Sequence, residues 1–185
     1  MPFGGKASGE GPEALAPDAA LAGASLPLAI AAWTLTDPAR AAALLEEWLG
    51  TADEKGQLTP SCPVACQWAE RVIQALPGGE ALRVRLLPKL ARYLEGAFER
   101  YDVGGSALPL WPSAEEALFP DDYAPGRFTV DLAVLLWNEA DAFCRLAEDR
   151  EDEYAKTLDL AEGEQRELDL WLKESFWDTE ASAFH

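Results

Sequence analysis

Two neighbouring carboxylates and a small group of aromatic residues make residues 102–128 the stretch of this chain best suited to chemistry. Asp121 and Asp122 stand directly before Tyr123, and Trp111 lies earlier in the same stretch. A carboxylate can act as a general acid or base, and an aromatic ring offers an apolar platform. We therefore predict Asp121 and Asp122 as catalytic residues and Trp111 and Tyr123 as substrate-binding residues. The alternatives are a solvated turn at the two aspartates and core packing of Trp111.

The same stretch is rich in glycine and proline, and its length is unusual for a compact domain. Loops this long are commonly functional or disordered, and the aromatic residues favour an ordered loop. Within it, Ser113-Ala114-Glu115-Glu116 resembles a capping box, so the two glutamates are expected to begin a short helix. Asp131 is expected in the first turn of the helix that follows, where a carboxylate interacts favourably with the helix dipole.

The cysteine content indicates neither a disulfide framework nor a metal site. The three cysteines, Cys62, Cys66 and Cys144, form an odd set, which is typical of a reducing compartment. Cys62 and Cys66 are four residues apart and would share a face of a helix, but the only histidine is His185. Because this set lacks further zinc ligands, we expect no metal and no cofactor. No phosphate-binding loop or nucleophile elbow is found either.

Charge and hydropathy limit the classes of partner. The formal net charge is -18, from 33 acidic and 15 basic residues, which argues against nucleic acid and anionic membrane surfaces. Apolar residues make up 49% of the chain, enough for a substantial core. The most apolar early stretch, residues 21–33, is too short for a membrane span and contains Pro27. The N-terminus has no clear secretory signal, so a cytoplasmic location is expected.

Apolar residues recur at helical spacing in six segments of the chain. The first predicted helix begins between residues 22 and 27 and ends at 35. The other predicted helices cover residues 38–49, 61–76, 80–101, 130–147 and about 153–176. No segment shows sustained alternation of apolar and polar residues, so strands should be few.

Local signals mark several helix boundaries. Asp37 is a good N-cap, Pro38 suits the first helical position, and Gly50 is a natural stop. Pro88 lies inside the fourth segment, so we expect a kink or a new helix start there. Glu139 lies within the apolar fifth segment, and the simplest expectation is that it faces solvent.

Short connections define the fold class. Links such as Pro77-Gly78-Gly79 place successive helices antiparallel to each other. The chain is therefore predicted to be all-α and built from antiparallel helical hairpins. Residues 1–20 are predicted to be a flexible lead-in, and residues 21–185 are predicted to form the helical-hairpin domain.

Four stretches resemble, in the same order, a known family. They are a helix start at residues 37–41 with an acidic, glycine-containing turn at 53–60, a proline-led segment with a tryptophan at 62–69, a loop and helix start at 108–113 and 129–132, and Phe-Trp-Asp-Thr-Glu at 176–180. Together they are similar to the bacterial six-hairpin glycoside hydrolases. Within these, the resemblance is to mannosylglycerate-hydrolase-like and family 63 glucosidase-like domains.

The resemblance implies part of an (α/α)6 toroid whose loops form a sugar-binding pocket at one end. It also implies a carbohydrate substrate with an α-linked glycosidic bond, cleaved by an acid and a base carboxylate. One departure is that residues 104–109 contain no acid where the family often places one. The second is length, because a closed ring at about 50 residues per hairpin needs on the order of 300 residues.

The chain is therefore expected to be an incomplete toroid that is inactive alone and self-associates through uncovered helix faces. A non-catalytic α-hairpin module that binds protein partners is the main alternative. A third hypothesis, an acidic decoy that mimics nucleic acid, predicts dense acidic rows, whereas the charges here are interspersed with apolar stripes.

Overall fold

The computed structural model describes residues 25–59, 61–102, 108–178 and 183–184, and it confirms the all-α class. The predicted lead-in, residues 104–107 and His185 lie outside the described residues. The α-helices of the described part are α1 (Ser25–Thr36), α2 (Pro38–Leu49), α3 (Ala65–Ala75), α4 (Glu80–Tyr101), α5 (Val130–Ala147) and α6 (Glu151–Trp171). A π-helical turn, Leu172–Phe176, leads from α6 into a two-residue antiparallel pair of strands, β1 (Trp177–Asp178) and β2 (Ala183–Phe184).

The boundaries of α2 confirm the predicted capping signals. The Asp37 carboxylate accepts a hydrogen bond from the Arg40 amide at 3.1 Å, and Pro38 occupies the first turn. The Gly50 amide donates to the carbonyl oxygens of Glu46 and Glu47, both at 3.0 Å, and ends the helix. Side-chain caps of this kind contribute about 1 kcal/mol each.

Helix α4 is continuous through Pro88, so of the two expectations, a kink or a new helix start, the new start is wrong. Proline removes one backbone donor and leaves the carbonyl group four residues earlier, that of Val84, without its helical partner. Pro88 is exposed and Val84 is 41% exposed. Because this side of α4 faces water, solvent can hydrate the carbonyl group and the helix is not interrupted.

Helices α3 and α5 run parallel. Their first pairing joins the Cys66 amide to the Glu139 carboxylate at 2.8 Å. Their second joins Glu70 to Arg145 at 2.6 Å. Residue numbers rise together along both helices, so the two helices point in the same direction.

Helices α4 and α5 run antiparallel. Arg83, near the start of α4, donates to the Leu146 carbonyl oxygen at the end of α5 at 2.8 Å. At the other end, Trp111 contacts Tyr101 of α4 and Asp131 of α5. These contacts pair the start of each helix with the end of the other.

Helix α4 runs parallel to α2 and α6. Arg85 pairs with Glu46, and Arg92 donates to the carbonyl oxygen of Asp53 just after α2. Further along α4, Glu95 accepts from Thr157 of α6 at 3.0 Å. The helices therefore form two layers, α1-α3-α5 and α2-α4-α6, which run in opposite directions and enclose one apolar core.

That core takes residues from every α-helix of the described part. Representative members are Ile30, Leu45, Cys66, Leu90, Phe143 and Leu168. A membrane span needs about 20 consecutive apolar residues, and none of the described helices offers such a stretch.

Candidate functional site

The connections between helices alternate between short and long, and all the long ones emerge at the same end of the bundle. The short connections are Asp37, residues 76–79 and the 3-10 turn Glu148–Arg150. The long ones are residues 50–64 and residues 102–129, and the chain also leaves α6 at their end of the bundle. Because successive helices reverse direction, the long segments share one end, here called the long-loop end. The opposite end is called the short-connector end.

The first long connection is shaped by a turn around Asp53. The Asp53 carboxylate accepts hydrogen bonds from the amides of Lys55 and Gln57, both at 2.9 Å. These bonds, the one from Gln57 most of all, lower the pKa of Asp53. Gly56 completes the turn with φ +82°, a conformation that other residues adopt only with strain.

This turn lies directly on the backbone of α4. A Cβ atom on Gly56 would come within 2.1 Å of the Arg92 carbonyl oxygen. A Cβ on Gly96 would come within 2.1 Å of the Lys55 carbonyl oxygen. Two glycines thus let the loop and the helix approach to backbone contact.

Arg100, near the end of α4, ties the first long connection to the second. Its guanidinium donates to the Gln57 side-chain oxygen at 2.7 Å and to both Glu116 oxygens at 2.7 and 2.8 Å. The ion pair is partly buried, with side-chain exposures of 26% for Arg100 and 22% for Glu116. A bidentate pair of this geometry fixes position as well as charge.

Trp111 lies in the core of the long-loop end and offers no exposed ring. It is 6% exposed and meets Tyr101 edge to face at a centroid distance of 5.7 Å. Its indole N–H donates to the Asp131 carboxylate at 3.1 Å, and the Tyr101 hydroxyl lies 2.9 Å from the Ser61 hydroxyl. The substrate-stacking role predicted for Trp111 requires an accessible ring face, whereas its contacts match the core-packing alternative.

The other predicted site residues follow on a 3-10 turn, Pro120–Asp122. Asp121 is exposed to solvent. The side chain of Asp122 lies outside the described part of the molecule. Tyr123 is half-buried, and its hydroxyl lies 3.4 Å from the Pro112 carbonyl oxygen.

In the described part of this loop the most exposed aromatic side chain is that of Phe119, which was not among the predicted site residues. Phe119 is 59% exposed and Leu118 beside it is 52% exposed. Both directly precede the turn that carries Asp121. The pattern of two apolar residues before Pro-Asp-Asp is a sequence signal that could have identified this tip.

The short helix predicted at Glu115 and Glu116 does not form. The segment makes a turn in which the Ala117 amide donates to the Ser113 carbonyl oxygen at 3.2 Å. The Glu115 backbone amide and then the Ser113 hydroxyl lower the pKa of Glu115, but Glu116, which a capping box would use, pairs with Arg100 instead. Pro120 disfavours helical geometry at Phe119, the residue before it, so the segment does not extend beyond a turn.

A second polar cluster is buried beneath the long-loop end, around Glu139. Glu139 is 0% exposed, so the expectation that it faces solvent is wrong. Its carboxylate accepts from the amides of Cys66 and Gln67 at 2.8 and 3.0 Å, and from the Gln67 side-chain amide at 3.0 Å. Its position on the apolar stripe of α5, between Leu136 and Phe143, was a signal for burial.

The cysteines do not form the helical pair that the spacing predicted, because α3 begins after Cys62. Burial is the main cause that raises the pKa of Cys62 to about 12 and that of Cys66 well above the ordinary thiol value. Both side chains are therefore thiols at neutral pH. Among the described residues, no group of three or more metal-ligating side chains comes together.

No known protein family, curated protein or solved structure matches this chain.

Proposed function

We propose that this chain is a carbohydrate-binding part of a six-hairpin glycoside hydrolase, and that the sugar binds at the long-loop end. The observation that carries the proposal is the arrangement of the helices in two oppositely directed layers, with every long connection of the described part at one end. A toroid built from hairpins has the same alternation, and its substrate pocket lies at the end with the long loops. The order of the four motifs named above agrees with this assignment.

The tip of the second long connection supplies suitable contacts for a sugar. Phe119 presents an exposed ring, and the carboxylate of Asp121 is exposed close to it in sequence. A ring can stack on the apolar face of a sugar, and a carboxylate can accept hydrogen bonds from its hydroxyl groups. The strong negative charge of the chain favours a neutral sugar over an anionic one.

Catalysis needs more than binding. Glycosidases place two carboxyl groups about 5–5.5 Å apart for retention or about 6.5–9.5 Å apart for inversion. Asp121 and Asp122 stay our candidates for one of these groups. Glu116 is held by Arg100, and Asp131 accepts from Trp111. We therefore expect this chain to bind α-linked sugars with little or no hydrolysis.

Titration calorimetry with methyl α-glucoside, methyl α-mannoside and their disaccharides tests the proposal. Phe119→Ala should weaken binding about tenfold, equivalent to about 1.4 kcal/mol, and Asp121→Asn should also weaken it. Leu35→Ala is the matched control, because Leu35 is an exposed apolar residue at the short-connector end. Absence of binding to every sugar, or equal binding by the Phe119 variant and the wild type, would contradict the proposal.

The uncharged surface of α1 favours a second candidate function, a helical module that binds a protein. Leu28 and Leu35 are 67% and 87% exposed, and they lie seven residues apart on the same side of this helix. Isolated exposed leucines are common, but two on one uncharged helix form a stripe. A chain that binds no sugar but loses self-association when both leucines are replaced by lysine would favour this function.

A further inference from the structure

Helix α3 begins without a side-chain cap of its own. Val64 occupies the N-cap position and cannot accept a hydrogen bond with its side chain. The first amides of a helix have no partner within the helix and need an acceptor from elsewhere. Glu139 of α5 supplies it, with the amides of Cys66 and Gln67 at 2.8 and 3.0 Å. The start of α3 is thus held by a carboxylate 73 residues away in the chain.

The carboxylate is fully enclosed, and the groups around it come from three elements. The segment before α3 and its first turn contribute the thiols of Cys62 and Cys66, and α4 contributes the Tyr93 phenol. Tyr93 interacts with Glu139 and points its hydroxyl at the Cys62 carbonyl oxygen, 3.5 Å away. Further away, burial and then the charge of Glu162 on α6 raise the pKa of Cys144 on α5. Cys144 is in turn the smallest of the named causes that raise the pKa of Cys66. None of the side chains named here as facing the carboxylate is cationic.

We propose that Glu139 is a proton-binding latch between α5 and α3, whose ionisation state sets how firmly residues 61–67 are held at the long-loop end. In the closed state, with the start of α3 bound to Glu139, the ionised carboxylate accepts three N–H groups but loses its hydration. This loss is costly, because none of the side chains named above as facing the carboxylate is cationic. The two α3 amides bind different oxygens, Cys66 at Oε2 and Gln67 at Oε1, so the neutral acid keeps one full acceptor and offers its hydroxyl oxygen as a weaker one. Opening returns the carboxyl group to water, and the ionised form gains more from this than the neutral form.

The direction of the pH effect follows from the environment. Burial raises the pKa of Glu139, and the hydrogen bonds from Cys66, Gln67 and Tyr93 offset only part of that rise. Since the closed state holds the proton more tightly than the open state, closure is strongest below the ordinary carboxyl pKa. It weakens as pH rises through the raised pKa of Glu139 and is constant above it. Deprotonation releases the proton to solvent and leaves the electron pair on the carboxylate.

Amide hydrogen exchange of Cys66 and Gln67 tests the proposal, with rates corrected for the intrinsic effect of pH. In the wild type, protection should fall as pH rises from about 4.5 towards 8. The total fall should be about tenfold for each pH unit that separates the raised pKa of Glu139 from the ordinary carboxyl pKa. Glu139→Gln should remove this pH dependence. Glu47→Gln, an exposed glutamate on α2, is the matched control and should keep it.

If Glu139→Gln does not fold, titration of the Glu139 carboxyl carbon in the wild type decides the question. A midpoint above the ordinary glutamate value of about 4.3 supports the latch. A midpoint at or below that value overturns it. Protection of Cys66 and Gln67 that does not change with pH, or a Glu139→Gln variant with the wild-type pH dependence, also overturns it.

Discussion

Gly56 and Gly96 bring a surface turn and the second half of α4 into backbone contact, with Cβ positions that would lie 2.1 Å from carbonyl oxygens of the opposite segment. The contact seats the first long connection on the helix that carries Arg100. It sets the position of Gln57 relative to that guanidinium. The geometry of the long-loop end thus depends on two residues that have no side chain.

Gly96→Ala should therefore lower the free energy of unfolding by about 1–3 kcal/mol, the usual range for overpacking. Gly163→Ala is the control, since a Cβ there meets nothing within 4 Å in the interior of α6. That variant should gain about 0.5–1 kcal/mol from better helix propensity. Urea unfolding followed by circular dichroism measures both changes. Equal effects in the two variants would contradict the close approach.

The Arg100–Glu116 pair should contribute more to stability than the exposed pair Lys55–Glu99. The former is bidentate and only about a quarter exposed, whereas both side chains of the latter are more than 60% exposed. Glu116→Gln should cost about 1–3 kcal/mol and Glu99→Gln about 0–1 kcal/mol. Double-mutant cycles with the two cations, in low and high salt, measure the coupling. A coupling no larger for Arg100–Glu116 would show that the bridge does not order the loops.

Substitution of Trp111 should affect mainly the stability of the fold, and substitution of Phe119 should affect mainly sugar binding. Trp111→Phe removes the indole donor to Asp131 and some core volume, so it should lower the free energy of unfolding by about 1–3 kcal/mol. Sugar affinity should change little in that variant. Phe119→Ala should leave stability within about 0.5 kcal/mol, because the ring is largely exposed, and should weaken sugar binding. The reverse pattern would return the stacking role to Trp111.

Self-association is expected through the apolar stripe of α1. Light scattering of the wild type should show a mass that rises with concentration, and replacement of Leu28 and Leu35 by lysine should reduce that rise. Leu170→Lys is a control for a single exposed apolar residue on α6. A wild-type chain that is monomeric at every concentration would show that the stripe is not an interface.

The sequence predicted the parts of the fold that local chemistry decides. Helix α2 begins and ends where Asp37, Pro38 and Gly50 indicated, and α4 has the bounds predicted from its apolar stripe. The start of α3 was predicted at residue 61 but lies at Ala65. Its cap comes from Glu139, which is distant in the chain, and no pattern within the segment carries that information.

The loop that carries the candidate site was predicted from the sequence, whereas the exposure of its individual aromatic side chains was not. The long loop and the exposed position of Asp121 follow from turn residues that can be recognised locally. The burial of Trp111 depends on Tyr101 and Asp131, which reach it from the helices on either side of the loop. Phe119 and Trp111 are both loop aromatics in the sequence, and only the packing of the folded chain shows that Trp111 is buried and Phe119 is exposed.

The alternation of short and long connections also determines where a tether or a fluorophore can be attached to this protein without covering its long loops. Helix α4 has 22 residues and therefore spans about 33 Å between the two ends. Ala75, the last residue of α3 at the short-connector end, is exposed. A surface tether or a fluorophore attached there would be a full helix length away from Phe119 and Asp121. Immobilised chain could then be screened against glycans with its long loops facing the solution.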